Sequence, residues 1–201
     1  MDPFTTLTGA AAPLLRANID TDMIIPIQHL VGATRQGLGQ HAFERFRDQP
    51  DWPLSRPEYR GAPILLAGEN FGCGSSREGA VWTLQGIGVR CVIAPSFGDI
   101  FFNNCFQNGV LPVRLPEDAI RRIAAEVEAS PGNARVTVDL ERQVVVTPRG
   151  EAIPFEVDAR KKSALIEGLD EIALTKKRAE EIAAWQARDR AARPWAWESV
   201  A

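Results

Sequence analysis

The sequence predicts an α/β domain, and three observations carry that prediction. Between Pro63 and Ala94 an apolar run, a glycine-rich loop, an apolar helical spacing and a second apolar run follow in order, which is a βαβ unit. After Pro116, residues Ile120, Ile123, Ala124 and Val127 mark one face of an amphipathic helix. Further on, Val136–Leu140 and Val144–Thr147 flank the polar turn Glu141-Arg142-Gln143, as paired strands do.

The elements follow along the chain. Leu7 to Ala17 is apolar and broken by Gly9 and Pro13, so it reads as strand and turn. Asp20 and Asp22 precede Met23-Ile24-Ile25-Pro26, which reads as a strand. Acids at such a place cap a turn or face solvent, and a metal role for them lacks further ligands. From Gln28 to Gly61 glycines and prolines keep the chain irregular, with one short helix over His41–Phe46. Long irregular stretches inside a compact domain tend to be functional loops. Pro63–Ala67 is a buried strand. Ala80, Val81, Leu84 and Ile87 then keep helical spacing up to Gly86 and Gly88, before a strand over Val89–Ala94. Gly98–Gln107 reads as a helix closed by Asn108-Gly109, with Ile100, Phe101, Phe102 and Phe106 towards the core. Val110–Val113 is a strand. Pro116, followed by acids, opens the amphipathic helix, and Ser130-Pro131-Gly132 ends it. Ile153–Val157 adds a strand, and Asp158 caps a helix running to Gly168. Thr175 is the expected cap of the last helix, Lys176 to about Arg190. Trp195 and Trp197 then invite docking on this domain or on a partner.

Composition sets the outer bounds. The 201 residues fit a single domain over 1–201, with a C-terminal helix and tail from about 175. A net charge of −3 gives no bulk field towards nucleic acid or anionic lipid. The three cysteines, Cys73, Cys91 and Cys105, lack zinc or iron–sulfur spacing, and their odd number argues against a disulfide scaffold. No apolar run approaches a membrane span, and the start Met1-Asp2-Pro3-Phe4 lacks the features of a signal peptide. The expected compartment is the cytoplasm.

The chemistry is concentrated in Gly68-Glu69-Asn70-Phe71-Gly72-Cys73-Gly74-Ser75-Ser76-Arg77-Glu78-Gly79. The βαβ reading puts this loop at the carboxyl end of a strand, where open α/β sheets bind ligands. Gly72 and Gly74 permit positive φ and close approach to the backbone. Ser75 or Ser76 can cap the helix, whose first amides are unpaired, and Arg77 in the first turn adds a planar cation. Such a loop suits an anion. It lacks the lysine of a P-loop, and Arg77 stands where a dinucleotide fingerprint has its third glycine. Cys73 is a candidate nucleophile, because a helix N-terminus lowers thiol pKa. A purely structural role also stays open, since glycine turns with a serine cap join strands to helices in many folds.

This segment resembles the signature of the small, swivelling domain of the aconitase superfamily, and within it the small subunits of isopropylmalate dehydratases. The resemblance extends to Asn18-Ile19-Asp20-Thr21-Asp22-Met23-Ile24-Ile25-Pro26, Thr34–Gly39, Ile93–Phe101 and Gly168–Thr175. It implies a three-layer β/β/α domain with a C-terminal helix, closing over a site on a separate large subunit in a heterodimer or heterotetramer. It implies a hydro-lyase, active only with that subunit, that isomerises 2-isopropylmalate to 3-isopropylmalate by dehydration and rehydration in leucine biosynthesis. No cofactor is expected on this chain, and a 4Fe–4S cluster is expected on the large subunit. By the same resemblance Ser75 is the base, while Arg77 holds a substrate carboxylate and stabilises the alkoxide. Arg35 takes a second carboxylate, Asp22 stands at the rim, and Gly74 and Ser76 line the substrate. No residue is expected to ligate a metal.

Two positions depart from the family. Gly79 stands where histidine usually follows Arg-Glu, and Ile27 where lysine often follows Ile-Ile-Pro. Gly79 is expected to mark an altered substrate or partner contact, and histidine there to add helix propensity. Two further readings remain: a paralogous hydro-lyase for another alkylmalate, and a non-catalytic regulatory subunit.

Overall fold

Only Ala10 separates strand β1 (Thr6–Gly9) from β2 (Ala11–Leu14), yet the two belong to different sheets. The computed structural model describes residues 1–31, 34–49, 52–74 and 77–197. After β2 come a single-turn helix α1 (Thr21–Ile24), strand β3 (Ile64–Ala67), helix α2 (Glu78–Gly86) and strand β4 (Cys91–Ala94). Helix α3 (Asp99–Gln107), strand β5 (Leu111–Arg114) and helix α4 (Glu117–Glu128) follow. Strands β6 (Val136–Asp139), β7 (Val144–Val146) and β8 (Ala152–Pro154) precede the helices α5 (Ala159–Glu167), α6 (Glu171–Lys176) and α7 (Ala179–Ala192).

One sheet is parallel, in the order β2-β3-β4-β5. Its register aligns Ala11, Ile64, Cys91 and Leu111, so all four carboxyl ends open on one edge. Strands β2, β3 and β4 are buried along their whole length, as unbroken apolar runs require. The other sheet, β1-β6-β7-β8, is antiparallel. Gly9, Val136, Val138, Val145 and Ile153 are its buried positions, alternating with more exposed ones on β6, β7 and β8, so one face meets the core. Helix α4 packs across β2, β3 and β4 through Ala119, Ile120, Ile123, Ala124 and Val127. Each fully buried Ile or Val there contributes about 1.5–3 kcal/mol.

Several expectations are corrected. Residues 21–24 form a helical turn rather than a strand, because the Asp20 carboxylate accepts from the Met23 amide at 2.7 Å and closes it. No helix forms over 41–46; a 3-10 turn occupies Leu38–His41, and Phe43 takes φ 50° so that its ring and that of Phe46 both meet Trp52. Ile100 is exposed on α3. Strand β8 stops at Pro154. Asp170, not Thr175, is the side-chain cap here: it caps α6, accepting from Ala173 N, while Thr175 lies inside α6 and donates to the Glu171 carbonyl. The chain breaks again at Arg178 before α7, which buries none of its residues. Trp197 folds back on α7, donating to Asp189 at 2.9 Å and facing Trp185, whereas Trp195 is exposed.

Candidate active-site loop

The loop after β3 continues the parallel sheet past its edge. On one side Asn18 donates to the Glu69 carbonyl, Gly72 to Ile19 and Thr21 to Cys73, at 2.8, 2.7 and 3.1 Å. On the other, Phe71 donates to Ser96 and Gly98 to Phe71, at 3.1 and 3.0 Å. Single bridges, Asp20 with Cys73 and Phe71 with Phe97, mark this extension. Asn18 and Asn70 both take left-handed φ, and the Asn70 amide donates to Asn18 Oδ1 at 2.8 Å. Asparagine tolerates that conformation better than most residues. At Gly72, φ is 73° and a Cβ would lie 2.2 Å from the Phe101 ring, so no side chain fits. Gly74, at φ 91°, is exposed and turns the chain outward beside Asp20 and Thr21.

The sequence-predicted site divides into three groups. Gly74, Arg77 and the turn carrying Asp22 lie along the loop or its hydrogen-bonded neighbour. Arg77 is the N-cap residue of α2, with an extended backbone at φ −119°, and not part of its first turn. Its side chain is exposed and forms no ion pair with the described residues. Asp22 is exposed in the first turn of α1. Arg35 stands on the flank of α2. Its guanidinium lies 4.8 Å from the Trp82 ring centroid and donates to Asn108 Oδ1 at 3.0 Å. Ser75 and Ser76, with the proposed cap and base, lie outside the described residues.

Sequence reasoning missed the centre of that flank. Asn108, read only as a helix end, is buried and holds four side chains. It accepts from Arg35 and from Trp82 Nε1, donates to Glu78 at 3.1 Å, and offers its carbonyl to Gln85. Arg35 is thereby linked, through one asparagine, to the residue after Arg77. An asparagine before glycine carried the turn signal alone, and nothing local announced the contacts.

The electrostatics overturn the thiol reading. Burial and the nearby Asp20 carboxylate push the Cys73 thiol up, against its own backbone hydrogen bond. Burial, with the carboxylate adding to it, disfavours the thiolate, so the environment does not activate Cys73 as a nucleophile. Cys91 and Cys105 are fully buried, and burial raises both thiols well above the ordinary range.

The comparisons with known proteins agree over nearly the whole chain. Residues 1–118 match the aconitase C-terminal domain family, and residues 121–159 match LeuD_N. The chain is 51% identical over 201 residues to the 3-isopropylmalate dehydratase small subunit of Paramagnetospirillum magneticum, covering 97% of this chain and 100% of that protein. It is 52% identical to that of Dinoroseobacter shibae, with the same coverage. The chain belongs to the 3-isopropylmalate dehydratase small-subunit family. A crystal structure of 3-isopropylmalate dehydratase from Methanocaldococcus jannaschii superposes with a TM-score of 0.66 at 26% identity, over 89% of this chain and 98% of that one. The aconitase-type α/β fold expected from the sequence is therefore present. No helix among the described residues is long and apolar enough to cross a membrane.

Histidine at Gly79 was expected to add stability through helix propensity, and the packing around Gly79 works against that. Gly79 is buried in the first turn of α2, and a Cβ there would lie 2.4 Å from Leu30 Cδ2 and 3.3 Å from Leu30 Cγ. The space that a histidine would need is filled by Leu30, so added helix propensity does not decide the outcome.

Proposed function

We propose that this chain is the small subunit of a 3-isopropylmalate dehydratase, a hydro-lyase that interconverts 2- and 3-isopropylmalate in leucine biosynthesis and works only with its large subunit. The observation that carries the reading is the full-length correspondence with small-subunit relatives. The exposed loop at the carboxyl edge of the parallel sheet supports it, because the sheet pins the backbone while Gly74 and Arg77 face outward. We read residues 1–201 as one swivelling domain acting in the cytoplasm, in keeping with three free cysteines.

Dehydration needs a base for the carbon-bound proton, a grip on two carboxylates and help for the leaving hydroxyl. A 4Fe–4S cluster on the large subunit would supply that help as a Lewis acid. Two of this chain's three thiols are sealed in the core and all three are pushed up, so its own cysteines do not fit such a cluster. The Ser75 hydroxyl would take the proton. A serine alkoxide is tolerable only where amides and a cation face it in a closed site, and Arg77 stands beside it in the chain with no competing ion pair among the described residues. The Arg77 fork would also hold one substrate carboxylate bidentately. Arg35 would take the second, its guanidinium oriented by Trp82 and Asn108. Gly74 and Ser76 would line the substrate, and Asp22 would stand at the rim.

The test is reconstitution. Mixed with its anaerobically assembled large subunit, this chain is expected to form a stable complex that converts isopropylmalate, while neither subunit turns over alone. Assembly without turnover would favour the regulatory reading, and turnover of smaller alkylmalates alone would favour the paralogue.

A further inference from the structure

The chain has two histidines, His29 and His41, and the fold stacks them on one another. Their ring centroids are 3.7 Å apart and their planes differ by 11°. Glu44 joins them: its Oε2 lies 2.5 Å from His29 Nε2 and 3.6 Å from His41 Nδ1. One donor atom from each residue falls within 4.8 Å of the others, and no other such group of three gathers among the described residues. A second observation concerns the surroundings of two of these atoms. His29 Nε2 and Glu44 Oε2 are both shut off from solvent, and neither has a hydrogen bond despite their separation of 2.5 Å. Two buried polar atoms that face one another without an aligned hydrogen bond are costly unless something else satisfies them.

We infer that His29, His41 and Glu44 form a binding site for a divalent transition-metal ion of the zinc class. Two imidazoles and one carboxylate suit that class, with water completing the shell. Ligand atoms on a tetrahedral zinc lie roughly 3.4 Å apart, given bonds of about 2.0–2.2 Å. The observed 2.5 and 3.6 Å bracket that spacing. Parallel rings send their lone pairs side by side, so one imidazole turns as the ion enters. The histidine χ2 torsion is soft, and the side chains are only 21% and 31% exposed, enough for access without losing their packing. Gln40 provides the outer partner. Its side-chain amide lies 3.1 Å from His41 Nε2, and turned so that Oε1 accepts that N–H it leaves Nδ1 bare for the ion. The ion would tie the turn Ile27–His29 to the turn Leu38–His41, fixing both ends of the segment that carries Leu30 and Arg35. The inference stands on these contacts alone and does not depend on the dehydratase reading.

Calorimetric titration of the full chain with Zn²⁺, in a Cys73→Ser background to remove the half-exposed thiol, tests the site. One saturable equivalent is expected, with no heat from Mg²⁺ at the same concentration. His29→Ala and His41→Ala should each weaken binding by at least the roughly 10–100-fold that an outer-shell partner is worth. Absence of binding, or equal binding in the His29→Ala/His41→Ala double variant, would overturn the site. A readout that needs no histidine variant is the visible spectrum with Co²⁺. Bands of a tetrahedral nitrogen–oxygen set support the site, and a thiolate charge-transfer band would assign the ion to cysteine and refute it.

Discussion

At Gly79 a missing side chain is part of the packing. Leu30 occupies the space, and overpacking typically costs about 1–3 kcal/mol, against the few tenths that histidine gains over glycine in a helix. Gly79→His is therefore expected to lower the thermal midpoint, and Leu30→Ala to relieve much of that loss in the double variant. Equal losses in both backgrounds would show that the two positions are not coupled. Cys73 gives the second test at this scale. Its thiol is pushed up by burial and by Asp20, so alkylation by iodoacetamide should be slow at neutral pH and accelerate only above the ordinary thiol range. Cys73→Ser should keep turnover in the assembled enzyme; loss of turnover would restore a role for the sulfur. Both residues show what a single sequence hides. The glycine was visible in the chain, but Leu30, far away in sequence, decides what glycine is for. The thiol's place before a helix was legible, and the burial and nearby carboxylate that push it up were not.

At the scale of elements, Asp20 and Asp22 separate two roles that the sequence left together. Asp20 closes α1 by accepting from Met23, while Asp22 is exposed. Asp20→Ala should cost about 0.5–2 kcal/mol in chemical denaturation, as loss of an N-cap does. Asp22→Ala should stay within about 0.5 kcal/mol, as exposed positions do, so any effect on turnover belongs to the site. A comparable cost for both would remove the distinction. The βαβ unit, α4 and the β6–β7 pair were legible because apolar periodicity is strong where one face or a whole strand is buried. The cap at Asp158 was legible too, since the side chain accepts from Arg160 and Lys161 as its position suggests. The 41–46 segment was misread because its apolar spacing comes from Phe43 and Phe46 converging on Trp52, not from a helix. Thr175 was misread because two cap-forming residues lie in one short stretch, and only geometry shows that Asp170 does the capping.

At the scale of the molecule, the two sheets meet where β1 passes into β2, and the parallel sheet carries the loop to its open edge. The sequence announced that loop because its glycines and flanking strands are local. It could not announce the arrangement around it, in which Arg35 is held by Trp82 and Asn108 on the flank of α2 while Arg77 stands unpaired among the described residues. In the proposed reaction this chain carries the base, Ser75, for a site completed by a partner. Steady-state hydration of the unsaturated intermediate by the assembled enzyme, wild type against Ser75→Ala, tests that most directly. General-base steps supply roughly 10²–10⁴-fold, so turnover should fall by about that factor while the complex still assembles. Ser75→Ala enzyme that keeps more than half of the wild-type rate would contradict the account.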